Sequence, residues 1–193
     1  METEIWLVRH GETEWNRLGK IQGIEDIALN ETGIEQAKKV ADYLQDEYFS
    51  AIISSPLQRA LKTAEMIQAF NASHPPLVTD HDVVERHYGR LSGIPYKELK
   101  RYKAMEDQGI ETLEALKRRA LNVLDRVVKR YNGEKLCIVS HGGFIKTMLA
   151  SATDNNKPRS SIKLDNCGVS KMSFQDQRWR VLAYNINEHL NGS

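Results

Sequence analysis

The chain has 193 residues, of which 40% are apolar and 27% charged, and its formal net charge is +1. That length and balance describe one globular domain, over residues 1–193, whose core removes roughly 70% of the unfolded surface from water; they exclude a disordered chain. The near-neutral charge lacks the basic footprint of nucleic-acid binding or of attachment to an anionic membrane, and no apolar stretch approaches the ~18 residues of a membrane span.

The first element in chain order is Ile5-Trp6-Leu7-Val8, a short apolar run ending in Arg9-His10-Gly11, which reads as a buried strand followed by a turn. From Gly11 to Leu29 the chain is polar with scattered glycines and is expected to be an ordered loop. Thr32 and Glu35 have capping-box spacing for a helix whose apolar face is Ile34, Ala37, Ala41 and Leu44. Ala51-Ile52-Ile53-Ser54 is a second buried strand. Ser55 suits a helix cap, Pro56 the first helical position and Gln58 the other half of a capping box. Leu57, Ala60, Leu61, Ala64 and Ile67 form that helix's stripe. Asn71 to Pro76 breaks it, and Leu77-Val78 and Val83-Val84 are short strand candidates.

Residues 90–111 are polar, basic and aromatic and carry no clear period; with their flanks they predict a lid or insert around residues 86–112. A long helix is predicted over residues 112–131, with Leu113, Leu116, Ala120, Val123 and Val127 on one face and Asn132-Gly133 as its stop. Leu136-Cys137-Ile138-Val139-Ser140 is the third clear buried strand and ends at His141-Gly142-Gly143; a helix carrying Ile145, Met148, Leu149 and Ala152 follows. A hairpin of residues 168–174 and 179–184, turning around Asp176-Gln177, closes the chain.

Strands apolar on both faces alternate with helices. The expected fold is therefore α/β: three α/β/α layers, a central mostly parallel sheet with one antiparallel edge strand, and helices on both faces. Ligands of such sheets bind at the carboxyl ends of the strands. His10 and His141 both stand where a buried strand ends, so this fold brings them to one rim.

A lone histidine is more often a packed or surface residue than a reactive one. Two histidines at strand ends, each followed by glycine, shift that balance. Glycine lets backbone approach a ligand closely, and His141-Gly142-Gly143 opens a helix whose amides suit an anion. Arg9 adjoins His10, and Arg59 lies just inside a third strand-to-helix junction. Guanidinium groups bind phosphate oxygens bidentately, so two arginines and two histidines on one rim make a phosphate clamp.

Leu7-Val8-Arg9-His10-Gly11-Glu12-Thr13-Glu14-Trp15-Asn16 resembles the signature of the histidine phosphatase superfamily, in its phosphoglycerate-mutase-like branch. Leu29-Asn30-Glu31-Thr32-Gly33, Ser54-Ser55-Pro56-Leu57-Gln58-Arg59-Ala60, Glu85-Arg86-His87-Tyr88-Gly89 and Ser140-His141-Gly142-Gly143 match in the expected order, so the resemblance spans the chain. It implies a metal-independent phosphatase without cofactor, acting on a small phosphorylated metabolite. His10 is then the nucleophile that becomes phosphohistidine. Arg9, Arg59 and His141 hold the phosphate oxygens, and Glu85 is the general acid and base. Asn16, Gln22, Gly23 and Gly142 make secondary phosphate contacts. Members occur as monomers and as dimers, so a homodimer is compatible with the resemblance.

Other hydrolase chemistries fit poorly. A cysteine phosphatase needs arginine six positions after its cysteine, where Cys137 has Gly143 and Cys167 has Ser173. No His-Glu-x-x-His cluster and no Gly-Lys-Ser/Thr loop is present. Cys137 and Cys167 read as reduced, buried thiols and, with no signal-peptide pattern, suggest the cytoplasm. His74, His81 and His189 read as surface residues, and His87 as turned away from the site. Lys97, Lys100, Arg101 and Lys103 read as a solvated face, and Met105 as packing within the lid. Within the superfamily the alternative is a cofactor-dependent phosphoglycerate mutase, which Glu85-Arg86-His87-Tyr88-Gly89 resembles. Against it stand the shortness of the chain, the departure after Gly93, and the closing Tyr184-Asn185-Ile186-Asn187-Glu188-His189-Leu190, which is similar to small bacterial phosphatases of broad specificity.

Overall fold

The computed structural model describes residues 1–103, 109–152 and 159–191. Its centre is a six-stranded sheet of β1 (Thr3–Arg9), β2 (Ala51–Ser54), β3 (Leu77–Thr79), β4 (Lys135–Ser140), β5 (Val169–Gln175) and β6 (Arg178–Ile186), in the order β3-β2-β4-β1-β5-β6. β1, β2, β3 and β4 are parallel, and β5 pairs antiparallel with both β1 and β6. One strand is thus reversed, as expected, but it lies one position in from the edge, because a tight hairpin returns β6 beyond it. Asp176 and Gln177 at its tip have φ of 51° and 59°, the left-handed pair that such a turn requires.

The period of two in β1 explains the layers. Ile5 and Leu7 point into a core with α5 (Leu113–Arg130) and α6 (Gly142–Ser151), through Leu116, Val123, Phe144 and Met148. Trp6 and Val8 point the other way, against α2 (Glu31–Tyr43) and α3 (Gln58–Phe70), through Ala37, Val40, Ala64 and Ile67. Both faces are covered, so both are apolar.

Helix starts depart from the sequence-based expectation where loops supply the caps. α2 is capped by Asn30, whose Oδ1 accepts from Gly33 N at 2.8 Å, rather than by Thr32. α3 begins at Gln58, whose amide donates to Asp26 Oδ1 at 2.7 Å, a cap reached across 32 residues; Ser55 accepts from Leu57 N, at 3.3 Å, ahead of the helix. α5 does start behind Thr112, which accepts from Ala115 N, but Leu113 is exposed because it precedes the turn that meets the core. Val83-Val84 is not a strand: residues His81–Val83 form a 3-10 turn capped by Asp80, and Val83 is buried by its own packing.

Residues 86–103 leave the sheet as two 3-10 turns (Gly89–Leu91 and Tyr96–Glu98) and the short helix α4 (Leu99–Lys103). They gather a separate apolar cluster of Ile21, Tyr88, Leu91 and Leu99, which ties them to the loop after β1. Gly93 N donates to Ile21 O at 2.7 Å and completes that link. Lys97, Lys100 and Arg101 are exposed; the side chain of Lys103 and the whole of Met105 lie outside the described residues. Cys137 and Cys167 are both buried and free. Among the described residues no helix is long and apolar enough to cross a membrane.

Candidate active site

Strand register brings the site together. Arg9 ends β1 opposite Ser140, which ends β4, so His10 and His141 leave the sheet side by side, their ring centroids 5.1 Å apart. Arg59 enters from the first turn of α3, and Glu85 from the segment after the His81–Val83 turn. A cavity of about 550 Å³ opens at this rim. Arg9, His10, Asn16, Gln22, Gly23 and Arg59 line it, as do Glu85 and Gly142. His141 does not reach the wall; it is wholly buried one layer behind.

Hydrogen bonds fix both imidazole tautomers. His10 Nδ1 lies 2.6 Å from Gly11 O. A carbonyl only accepts, so Nδ1 carries the proton and Nε2 presents its lone pair. His141 Nδ1 receives Arg59 Nε at 3.2 Å, and arginine only donates, so the His141 proton sits on Nε2, 2.8 Å from Ser55 Oγ. Both rings are held neutral: burial pushes their pKa values well below the ordinary histidine range, and the Arg59 and Arg9 charges push them further down.

Arg59 is fully buried, and two loop carbonyls hold its fork: Nη1 donates to Glu25 O at 2.6 Å and Nη2 to Gly23 O at 2.8 Å. One N–H remains on each of these nitrogens. Burial lowers its pKa to about 10, so it stays charged at neutral pH. The carbonyl of Gly23 thus orients this arginine, while Gly23 itself lines the cavity. Arg9 donates from Nη1 to Leu164 O at 2.7 Å, while its buried Nε has no partner. An orphaned buried cationic donor is costly unless a ligand satisfies it. A Cβ on Gly142 would stand 3.3 Å from that nitrogen, so glycine keeps the approach open.

Asn16 Oδ1 accepts from Thr13 N and Asn166 Nδ2, which turns the Asn16 amino group to the cavity it lines. Gln22 Oε1 accepts from Thr13 Oγ1 at 2.9 Å, leaving its amino group in the same position. Glu85 caps α6: Oε2 accepts from Gly143 N at 2.9 Å, and Oε1 from Phe144 N at 3.0 Å and Arg86 N at 2.8 Å. Oε1 has both lone pairs engaged and Oε2 one, so Oε2 is the oxygen with room for a proton. Arg119 fixes the backbone beneath it, donating to Val84 O at 2.7 Å and Asp82 O at 2.8 Å.

Several lining residues escape the sequence reading: Lys20, Tyr88, Lys146 and Arg159. Lys146 carried a usable signal, since Gly142, Gly143 and Lys146 share one helix face. Arg159 is brought in by tertiary structure alone. His74, His81 and His87 are exposed, as expected. His189 is not a plain surface residue: it stacks on Tyr43 at 4.7 Å and its Nε2 meets Cys167 O at 3.0 Å. No group of three metal-binding side chains exists among the described residues.

A model of the histidine phosphatase superfamily (branch 1) matches residues 5–187. The chain belongs to that superfamily. It is 40% identical over 191 residues to the uncharacterised phosphatase PhoE of Bacillus subtilis, covering 98% of both chains. It is 35% identical over 202 residues to a metal-independent phosphoserine phosphatase of Arabidopsis thaliana, covering 97% of this chain and 83% of that one. A phosphoserine phosphatase variant from Entamoeba histolytica, solved in complex with phosphoserine, superposes with a TM-score of 0.86 at 30% identity, covering 97% of this chain and 99% of that one.

Proposed function

We propose that this protein is a metal-independent phosphatase that hydrolyses small phosphomonoesters through a phosphohistidine on His10. The observation that carries this reading is the neutral, Nδ1-protonated His10 beside the unpartnered Nε of Arg9. A nucleophilic lone pair and an unsatisfied cationic donor share one rim, which is what attack on a phosphoryl group requires.

His10 Nε2 attacks phosphorus and the P–O ester bond breaks. Glu85 Oε2 gives its proton to the departing oxygen, so the alcohol leaves neutral. Water then attacks the phosphohistidine, Glu85 takes the water's proton, and the N–P bond electrons return to Nε2. Arg9 and the two remaining N–H groups of Arg59 balance charge on the phosphoryl oxygens; Asn16 and Gln22 add neutral donors. His141 keeps Arg59 aligned through Nδ1, while its own N–H is held by Ser55 Oγ. Tyr88 and Tyr96 form the cover over the alcohol portion. The relatives named for phosphoserine support a small phosphorylated metabolite as substrate, and the buried free thiols support a cytoplasmic setting.

The test is a phosphorus NMR time course with chelator present, offering 3-phosphoglycerate and other phosphomonoesters, with and without 2,3-bisphosphoglycerate. Release of inorganic phosphate, abolished by His10→Ala, is the expected result. Isomerisation to 2-phosphoglycerate without phosphate release would mean a mutase, and dependence on added metal would reject the mechanism.

A further inference from the structure

We propose that Lys146 and Arg159 form a second anion subsite, which selects phosphomonoesters bearing a carboxylate near the ester oxygen. The inference rests on the phosphatase reading of the cavity. Arg9 and Arg59 answer the charge of the phosphoryl group. Lys20, Lys146 and Arg159 also line the cavity, and among the described residues Glu85 is its only carboxylate, so positive charge remains there after the ester dianion is bound. Among the described residues no carboxylate lies within ion-pair distance of Lys146 or Arg159.

Position assigns this charge to the alcohol side. Lys146 follows Gly142 and Gly143 on one face of α6, and Arg159 is pinned to the same turn. Its Nε donates to Thr147 Oγ1 at 2.9 Å and its Nη2 to Gly143 O at 3.2 Å. Those bonds orient the guanidinium and leave Nη1 available. A Cβ on Gly143 would stand 3.0 Å from Glu85 Cδ and 3.1 Å from Arg159 Nη2, so the arginine flanks the carboxyl that protonates the leaving oxygen. Burial and the neighbouring Arg9 and Arg159 lower the Lys146 pKa and outweigh the opposing effect of Glu85. An arginine offers a carboxylate a fork and a lysine a point charge, and the two together hold it in one orientation. A neutral substituent at this place would leave both cations unanswered.

The test compares 3-phosphoglycerate with glycerol 3-phosphate, in which a hydroxymethyl group replaces the carboxylate. Binding to the His10→Ala protein is measured by calorimetry, so the result does not depend on turnover. The carboxylate ester is expected to bind about 10- to 100-fold tighter, the range for hydrogen bonds to charged groups. Lys146→Met and Arg159→Met should each cut that ratio by about tenfold, and Lys146→Arg should restore most of it. Thermal unfolding identifies any variant that fails to fold, and the other then decides. Equal affinity for the two esters, or a ratio untouched by both substitutions, overturns the subsite. Failure of the His10 protein to hydrolyse either ester would reject the phosphatase reading and leave the binding ratio to judge the subsite.

Discussion

His10 and His141 are buried imidazoles held neutral by burial and by two neighbouring arginines. Their folded-state pKa values lie below the unfolded value of about 6.5. The unfolded chain therefore binds more protons as pH falls. The stability these residues contribute is complete above about pH 6.5 and is lost as pH drops toward the folded values, by up to about 1.4 kcal/mol per pH unit for each ring. Urea unfolding at stepped pH should show stability falling between about pH 6.5 and 5, and His141→Asn should flatten the slope; a pH-independent midpoint would contradict the neutral assignment. Activity should follow the same residues. The acid limb of kcat/KM, set by protonation of the free nucleophile, is expected below the ordinary histidine value. These environments could not be read from sequence: Arg9, His10 and Arg59 were legible as a set, whereas the placement of His141 behind Arg59 depends on Ser55 and two loop carbonyls that no local pattern marks.

At the scale of elements, α6 and Glu85 act as one unit. The carboxylate caps the helix through Gly143 and Phe144, and Gly143 has no Cβ because that position would collide with the same carboxylate. Gly143→Ala should therefore displace Glu85 and lower kcat by about 10²-fold, with little loss of binding at the His10 rim. Glu85→Gln keeps an acceptor for the cap but cannot supply a proton. It should slow alkyl ester hydrolysis by about 10²- to 10⁴-fold and p-nitrophenyl phosphate far less, because that leaving group needs no acid. Equal losses on both esters would remove Glu85 from the acid role. Helix caps also mark what local patterns convey. Thr112 caps α5 from the adjacent position, at the start of the helix that the sequence predicts. Asp26 caps α3 across the loop, and Asn30 rather than Thr32 starts α2, because the loop around Gly11 and Gly33 sets where the helix begins.

Across the whole molecule, β1, β2 and β4 were legible because strands buried on both faces demand apolar runs, and the terminal hairpin because two strand-like segments flank a polar turn. Residues 86–111 were not legible. Their cluster of Tyr88, Leu91 and Leu99 is completed by Ile21, far away in sequence, so no periodicity announces it. The site follows the same division. The residues at strand ends declare themselves, and Lys146 and Arg159 enter only when α6 and the segment after it are folded against the rim. The central claim is the covalent step, and one measurement addresses it directly. Protein mixed with a fast phosphomonoester is quenched in alkali within the first turnover and mapped by mass spectrometry. A single phosphoryl group on Nε2 of His10, absent from His10→Ala and lost on acid treatment, is the predicted result; an unmodified His10 alongside rapid phosphate release would contradict the account and assign the attack to water.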